Sequence, residues 1–290
     1  MNTPIQKVHP SSKAHAGMSR LVALLFALCS GLSVASIYYA QPLLDAMARD
    51  FRISHSHIGV IITVTQVCYA LGLFFLVPLG DLINRRKLII VQMLFSVAAL
   101  LVVGTTPSSS IFFTAIALVG LLAVNTQALV AFAAALAAPS ERGRIVGLVT
   151  SGIVIGILLA RTVAGTLNDW IGWRSVYLFS ASLTLLGVVA LLLLLPKHEP
   201  QRTKLNYPQL LISVIKLYRE LPILRIRGVL GMLIFTAFSI LWTAMVLPLS
   251  APPFSLSHTA IGAFGLAGAA GALAAARAGK LADRGLGQHT

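Results

Sequence analysis

Long apolar runs alternate with short polar clusters along almost the whole chain. A helix needs about 20 apolar residues to cross roughly 30 Å of hydrocarbon, and inside lipid its backbone groups must be satisfied within the segment. Each long run is therefore expected to be one membrane-spanning helix. The pattern predicts eight such helices, at about residues 21–43, 57–79, 88–105, 111–138, 145–167, 174–195, 223–247 and 259–277.

The first apolar run follows a polar segment that carries Lys7, Lys13 and Arg20, an order that secretory signal peptides share. The run continues to about Tyr39, so it is longer than the roughly 7–15 apolar residues of a signal peptide. We therefore predict that it is an uncleaved first span.

The composition excludes an ordinary soluble domain. Hydrophobic residues make up 57% of the 290 residues, charged residues make up 10%, and the mean hydropathy is +0.89. Soluble domains carry about 25% charged residues. Cys29 and Cys68 both lie in apolar runs, where we expect packing rather than a disulfide.

The net charge of +14 raises the question of nucleic-acid binding, but its distribution indicates membrane topology instead. The segments on the side of the N-terminus hold 18 Lys and Arg residues, and those on the other side hold 3. Because positively charged loops stay in the cytoplasm, we predict a multi-pass inner-membrane protein with both termini cytoplasmic. Its surroundings are the lipid bilayer, and no nucleic acid is expected.

Residues 196–222 form the longest polar stretch between spans and separate six predicted spans from two. This predicts a six-helix bundle at 1–195, a cytoplasmic central loop at 196–222 and a second part at 223–290. Within the loop, the residues from about Leu210 to Arg219 are predicted to form an amphipathic helix on the inner membrane surface.

Two charged loops repeat one pattern at matching positions. VPLGDLINRRK occupies residues 77–87 after the second span, and GKLADRGLG occupies residues 279–287 after the eighth. In each loop an acid, Asp81 or Asp283, can accept hydrogen bonds from the amides that begin the next helix, and a nearby Arg can meet the carbonyl end of a neighbouring helix. A charge cluster that only fixes topology is the alternative, and the repetition favours a conformational-switch loop. The predicted switch residues are Asp81, Arg85, Arg86, Gly279, Asp283 and Arg284.

The second loop resembles the cytoplasmic signature of the major facilitator superfamily, Gly-x-Leu-Ala-Asp-Arg-x-Gly-Arg-Arg/Lys, whose first half matches residues 279–284. YYAQPLL at residues 38–44 and GWR at residues 172–174 resemble its arabinose-efflux-permease-like and drug-efflux-like branch. The first loop keeps four signature residues and departs at three. The kept residues are Leu79, Asp81, Arg85 and Arg86, and the departures are Val77, Leu82 and Asn84.

The resemblance implies an all-α membrane fold of two six-helix halves, each an inverted repeat of three plus three helices, that works by alternating access. The eight spans correspond to the first half and two helices of an incomplete second half, so we expect a chain truncated after its eighth span. The predicted function is a secondary transporter that exports a small solute. The alternative is a remnant that inserts but does not transport, and a receptor function has no distinctive support.

Arg161 lies within the fifth predicted span, in the stretch LLARTVAGTLNDW at residues 158–170. The apolar residues of this span outweigh the cost of about 3 kcal/mol for one central Arg, so the span still inserts. The guanidinium then needs water or a partner. Snorkelling to the interface is one solution. The other is a polar cavity, in which Arg161 holds an anionic or polyhydroxyl substrate group or pairs with an acid to close the outer gate.

The surrounding pattern favours the cavity. Small residues recur every four positions on the same span and predict a close helix contact; they are Gly152, Gly156, Ala160 and Ala164. Thr236, Trp242 and Thr243 of the seventh span are expected to supply the facing wall. The predicted substrate-cavity residues are Arg161, Gln41, Asn125, Gln127, Gln66 and Tyr69.

Other chemistries lack their sequence patterns. None of the eight acidic residues falls at mid-membrane, so Asp45, at the outer end of the first span, is the nearest candidate for proton coupling. The chain has no Gly-x-x-x-x-Gly-Lys-Ser/Thr loop, no metal-ligand spacing and no nucleophile beside a base. We therefore expect a transporter rather than an enzyme, with no cofactor or metal, a small molecule as substrate and protons as the candidate coupling ion.

Overall fold

A computed structural model describes residues 18–54, 57–195 and 205–264 of the chain. Throughout these residues the regular structure is helical, and a further helix begins at residues 258–264. The long helices, labelled in chain order, are α1 (Arg20–Tyr38), α2 (Ala40–Phe51), α3 (Val60–Phe75), α4 (Arg85–Thr105), α5 (Ser109–Leu122), α6 (Asn125–Leu136), α7 (Arg142–Ile171), α8 (Trp173–Leu194), α9 (Tyr207–Glu220) and α10 (Pro222–Ser250).

Seven helical segments of the described residues are long and apolar enough to cross a membrane, with mean hydropathies of 2.0 to 2.4. They coincide with the first seven predicted spans, which confirms the all-α membrane class. The eighth predicted span lies mostly outside the described residues, and its described part, 259–264, is helical.

Two predicted spans are each built from two helices. The first passes from α1 into α2 at Tyr39 and continues to Phe51, beyond the predicted end at residue 43. The helix outlasts the apolar run because α2 is amphipathic and buries one face, and it stops where Arg52 adopts a left-handed conformation with φ of 54°. The fourth span is interrupted between α5 and α6 by a turn at residues 123–124.

Glycine contacts hold α1 and α7 together. Gly152 and Gly156 of α7 lie against the backbones of Ala27 and Gly31 of α1. A Cβ atom added to Gly31 would stand 2.7 Å from the carbonyl oxygen of Gly152, closer than real Cβ atoms approach. The two backbones therefore touch without intervening side chains, as small-residue interfaces in membranes allow.

Ala160 and Ala164 continue the same stripe toward the end of α7 and are both buried. All four predicted helix-packing residues thus lie on the inward side of this helix. Gly165, one residue further, touches the backbone of His258, where the next helix begins.

Helix α9 lies after the part of the central loop that the structure does not describe. It begins with a capping box, in which Asn206 and Gln209 satisfy each other's backbone amides. Leu210 is its buried residue, and the Tyr207 hydroxyl donates to the carbonyl oxygen of Phe75 at 2.8 Å. The predicted helix in this loop is therefore present and is attached to the end of α3.

The two ends of the bundle are named here after an arginine at each. At the Arg85 end, α4 begins beside the last turn of α8, and Arg86 Nη2 donates to the carbonyl oxygen of Leu192 at 2.8 Å. At the Arg174 end, α8 begins beside the end of α4, and Arg174 Nη2 donates to the carbonyl oxygen of Thr106 at 3.1 Å.

The close contact between α1 and α7 predicts that one added methyl group at this interface lowers the stability of the protein. Gly152→Ala places a Cβ against the backbone of Ala27, which cannot rotate away. We expect a loss of about 1–3 kcal/mol, as for other overpacked sites. The measurement is the thermal unfolding of the purified protein in detergent.

Gly147→Ala is the matched control, because Gly147 lies on the same helix with no heavy atom within 4 Å of its added Cβ. That variant should be as stable as the parent or more so, since Ala favours helix over Gly by about 0.8–1 kcal/mol. Equal melting temperatures for the two variants would contradict the close backbone contact.

Candidate functional site: a cavity beside a buried arginine

A cavity of about 1260 Å³ lies between α10 and the helices α1, α3, α6 and α7. Along α10 its lining extends from Gly228 to Leu247, which is most of the length of that helix. No charged side chain of the described residues lines it. Ligand pockets for small molecules occupy about 300–1,000 Å³, so the cavity has room for a small organic solute.

The polar groups of the cavity lie on two facing walls. Of the six predicted cavity residues, Gln66 and Tyr69 of α3 and Gln127 of α6 belong to its lining. The facing wall is α10, whose hydroxyl-bearing lining residues are Thr236, Ser239 and Thr243. The remaining lining is mostly aliphatic, so the cavity presents uncharged hydrogen-bonding groups within an apolar surface.

Arg161 lies beside this cavity rather than on its lining. Its side chain is buried, with 1% of the residue exposed, so it neither snorkels to the interface nor reaches the cavity. Three aromatic rings surround the guanidinium carbon, with centroids 4.0 Å away for Trp242 and 4.9 Å away for Tyr38 and Phe238. These distances are those of cation–π contacts, which are strongest where water is excluded.

Hydrogen bonds to neutral groups complete the surroundings of Arg161. Its Nη2 donates to Gln41 Oε1 at 2.7 Å, and its Nη1 donates to the carbonyl oxygen of Ile157 at 3.0 Å. No carboxylate among the described residues forms an ion pair with it. The partner for Arg161 considered from the sequence, an acid that closes a gate, is therefore not found within those residues.

Tyr38 connects the buried arginine with the cavity. Its ring stacks on the guanidinium and also lines the cavity, and Ile157, whose carbonyl oxygen accepts from Arg161, lines the cavity too. One aromatic ring and one helical turn therefore separate the charge from the space where a solute fits.

Asn125, the remaining predicted cavity residue, faces α4. It is fully buried, and its Nδ2 lies 3.5 Å from Ser96 Oγ. Its neighbours along α6, Thr126 and Gln127, line the cavity instead.

The first switch loop forms a compact charge cluster at the Arg85 end. Arg85 donates to Asp81 Oδ1 at 2.7 Å and to the carbonyl oxygen of Gly80 at 3.0 Å. The expectation that Asp81 caps the following helix is wrong: Asn84 Oδ1 accepts from the amide of Lys87 instead. Asn84 immediately precedes α4, whereas Asp81 belongs to a short 3₁₀ turn and is engaged by Arg85. The second loop, with Gly279, Asp283 and Arg284, lies outside the described residues.

Two polar clusters hold the Arg174 end together. In the first, the Asp50 carboxylate pairs with Arg174 and accepts from Trp173 Nε1 at 2.8 Å, which joins α2 to α8. In the second, Asp169 at the end of α7 accepts from the backbone amide of Thr259 at 2.8 Å and from its hydroxyl at 2.7 Å.

The second cluster also contains His258, whose Nδ1 lies 3.1 Å from Asp169 Oδ1. It joins α7 to the helix that begins at residues 258–264, on the other side of the central loop. The sequence carries no signal for this pairing, because Asp169 and its partners are about 90 positions apart.

Comparison with known proteins decides the family. Residues 25–290 match the sequence model of the Major Facilitator Superfamily. The chain belongs to the major facilitator superfamily.

Its relatives within the superfamily are transporters. The chain is 48% identical over 279 residues to the uncharacterized transporter YgaY of Escherichia coli O157:H7, which covers 96% of this chain and 71% of that protein. A probable transporter of Streptomyces coelicolor is 34% identical over 285 residues, or 98% of this chain and 66% of its own. The inner membrane transport protein YnfM of Escherichia coli K12 is 25% identical over 282 residues, or 95% and 67%.

The resemblance seen in the two loops and the YYAQPLL stretch is thereby confirmed at the level of the superfamily. This chain is an all-α membrane transporter of the major facilitator type. Members of this superfamily are transporters rather than enzymes.

The hydrogen bonds between Asp169 and Thr259 predict how readily a reagent in solution reaches the interior of the bundle from its Arg174 end. Thr162, two turns before Asp169, lies against the backbone of Gly262 behind that contact. In a Cys68→Ser background, the cysteine of Thr162→Cys should react slowly with a polar thiol reagent in detergent. Asp169→Ala removes the carboxylate that accepts hydrogen bonds from Thr259. The rate at which the Thr162→Cys thiol is labelled should therefore rise at least about tenfold, the equivalent of 1.4 kcal/mol.

Glu141→Ala is the control for this measurement. Glu141 pairs with Arg144 at the opposite end of α7, so its loss leaves the contact between α7 and residues 258–264 intact. If Glu141→Ala accelerates labelling as much as Asp169→Ala does, the Asp169 contact does not close this end.

Proposed function

We propose that this transporter exports a small organic solute by alternating access and binds it in the cavity between α10 and helices α1, α3, α6 and α7. The observation that carries the proposal is the division of the cavity walls between the two sides of the central loop. Gln66 and Gln127 precede the loop, and Thr236 and Thr243 follow it. A solute held between such walls is released when one side rocks against the other.

The two ends of the bundle fit the roles of two gates. At the Arg174 end, Asp169, which precedes the central loop, accepts a hydrogen bond from Thr259, which follows it. At the Arg85 end, Arg86 caps the carbonyl end of α8, and Arg85 pairs with Asp81; both contacts lie within the part of the chain before the central loop. They fix the shape of the first switch loop at the end that must open when the Arg174 end is closed, so we assign Asp81, Arg85 and Arg86 to the switch.

The proposed location is the inner membrane, with the Arg85 end and both termini in the cytoplasm. The excess of Lys and Arg on that side supports the orientation. YnfM, one of the relatives, is described as an inner membrane transport protein. Protons are the proposed coupling ion, with Asp45 as the candidate acid: it is 5% exposed and pairs with Arg49.

A cavity-filling substitution tests the proposal. Gly231 lines the cavity on α10 and has no heavy atom within 4 Å of an added Cβ, so Gly231→Leu adds volume without a first-contact clash. Cells that express the chain should accumulate less of at least one member of a panel of small organic solutes than cells without it. Gly231→Leu should restore accumulation, measured by mass spectrometry of cell extracts.

Gly147→Leu is the matched control, since Gly147 is equally open but does not line the cavity. Export should persist in Gly147→Leu at equal membrane abundance. The alternative function, a membrane protein that inserts but does not transport, predicts no solute whose accumulation depends on the chain. Export that continues unchanged in Gly231→Leu would place the solute elsewhere.

Arg161 supplies a second test of the same function. Arg161→Ala should abolish export while the protein still inserts, because the substitution removes the group on which Trp242, Tyr38 and Gln41 converge. Membrane abundance and export are measured together. Full export by this variant would remove Arg161 from the mechanism.

A further inference from the structure

The surroundings of Arg161 leave a permanent charge buried without an ionic partner. The residue is 1% exposed, and the carboxylates of the described residues are engaged elsewhere or lie apart from it. Burial of an unpaired charge is costly, and an opposite charge offsets that cost. Aromatic faces and neutral acceptors compensate only in part, so this position favours an anion.

Two unpartnered hydrogen-bond donors, one on each of two side chains that are hydrogen-bonded to each other, point to the kind of anion. Arg161 Nε and Gln41 Nε2 are both buried, and neither has a partner among the described residues. The orientation of the Gln41 amide is fixed by chemistry, because Oε1 accepts from Arg161 Nη2, and a flipped amide would set two donors against each other. A carboxylate brings two acceptor oxygens, one for each of these free donors.

The same donors argue against a polyhydroxyl group. A guanidinium has no acceptor, and Gln41 Oε1 already uses one of its two lone pairs to accept from Arg161. The hydroxyl hydrogens of a polyhydroxyl group would therefore meet more donors than acceptors here, and such a group would leave the charge of Arg161 unneutralised. A carboxylate brings acceptors alone and also neutralises the charge.

The neighbouring cavity indicates what the anion is attached to. The cavity holds about 1260 Å³, is lined mainly by apolar side chains and has no charged lining residue among the described residues. Tyr38 belongs both to this lining and to the ring cage of Arg161. Rotation of the Tyr38 side chain alone would therefore connect the apolar cavity to the Arg161 guanidinium.

We propose that Arg161 and Gln41 bind the carboxylate head of an amphipathic monoanion whose apolar body occupies the cavity. The inference rests on the proposed function for the cavity as the solute site, and it adds the chemical class of the solute. Tyr38, the one of the three rings that also lines the cavity, covers the guanidinium when the site is empty and turns aside to admit the head group.

Three probes separate the parts of this proposal in the purified full-length chain. 2-Naphthoate has the anionic head and an apolar body, 2-naphthamide has the body without the charge, and formate has the head without the body. Binding is followed by the shift in melting temperature and by the tryptophan fluorescence that Trp242 contributes. 2-Naphthoate should bind at least about tenfold more tightly than either other probe, as expected for charge-assisted hydrogen bonds in a desolvated site.

Gln41→Glu is the decisive variant, because it supplies a carboxylate at the position that already lies 2.7 Å from Arg161. It should raise the melting temperature of the free protein and reduce 2-naphthoate binding at least about tenfold. Arg161→Lys keeps the charge but loses the Nε donor, and it should weaken the preference for naphthoate over naphthamide. Arg144→Gln, on the same helix but paired with exposed Glu141, should change neither.

Three outcomes of these experiments would overturn the inference. Equal binding of naphthoate and naphthamide would show that the head group is not recognised, and equal binding of formate and naphthoate would leave the cavity without a role. Unchanged binding and stability in Gln41→Glu would remove Arg161 as the anion site. Those results leave the cavity assignment standing, because loss of export in Gly231→Leu is measured independently and does not require an anionic solute.

Discussion

The backbone contact between α1 and α7 is the constraint on which the rest of the structure depends. Gly152 and Gly156 bring α7 against Ala27 and Gly31 without side chains between them. Two turns further along, this closeness sets Arg161 beside Gln41, which belongs to the continuation of α1. A wider helix separation would leave the guanidinium out of reach of that amide and expose it to lipid, where its cost is highest.

The site combines two environments that would be incompatible in one space. The cavity has uncharged polar groups within an apolar lining, and the charge is kept behind the ring of Tyr38. An open charge would hold ordered water and oppose the entry of an apolar solute. Because Tyr38 shields the charge, the cavity remains suited to an apolar solute. Rotation of that one side chain would expose the Arg161 guanidinium to an anionic group.

The sequence predicts the spans well because lipid imposes one rule on every residue of a run. It also locates the small-residue stripe, since Gly152 and Gly156 are one helical turn apart. It fails where a partner is distant in the chain. Gln41 is 120 positions from Arg161, and Thr259 is 90 from Asp169, so no local pattern pairs them. It also ends the first span too early, because α2 continues as a helix with charged residues that hydropathy counts as loop.

The length of α7 has a mechanical consequence. Its 30 residues form one uninterrupted rod, about 45 Å long at 1.5 Å per residue. The glycines that touch α1 lie near its middle and present no side chain to interlock, so any tilt of α7 against α1 would pivot about them. A tilt of about 10° there displaces Asp169, roughly 22 Å away, by about 4 Å. Such a tilt would move the two ends of α7 in opposite directions, so opening the bundle at one end would close it at the other.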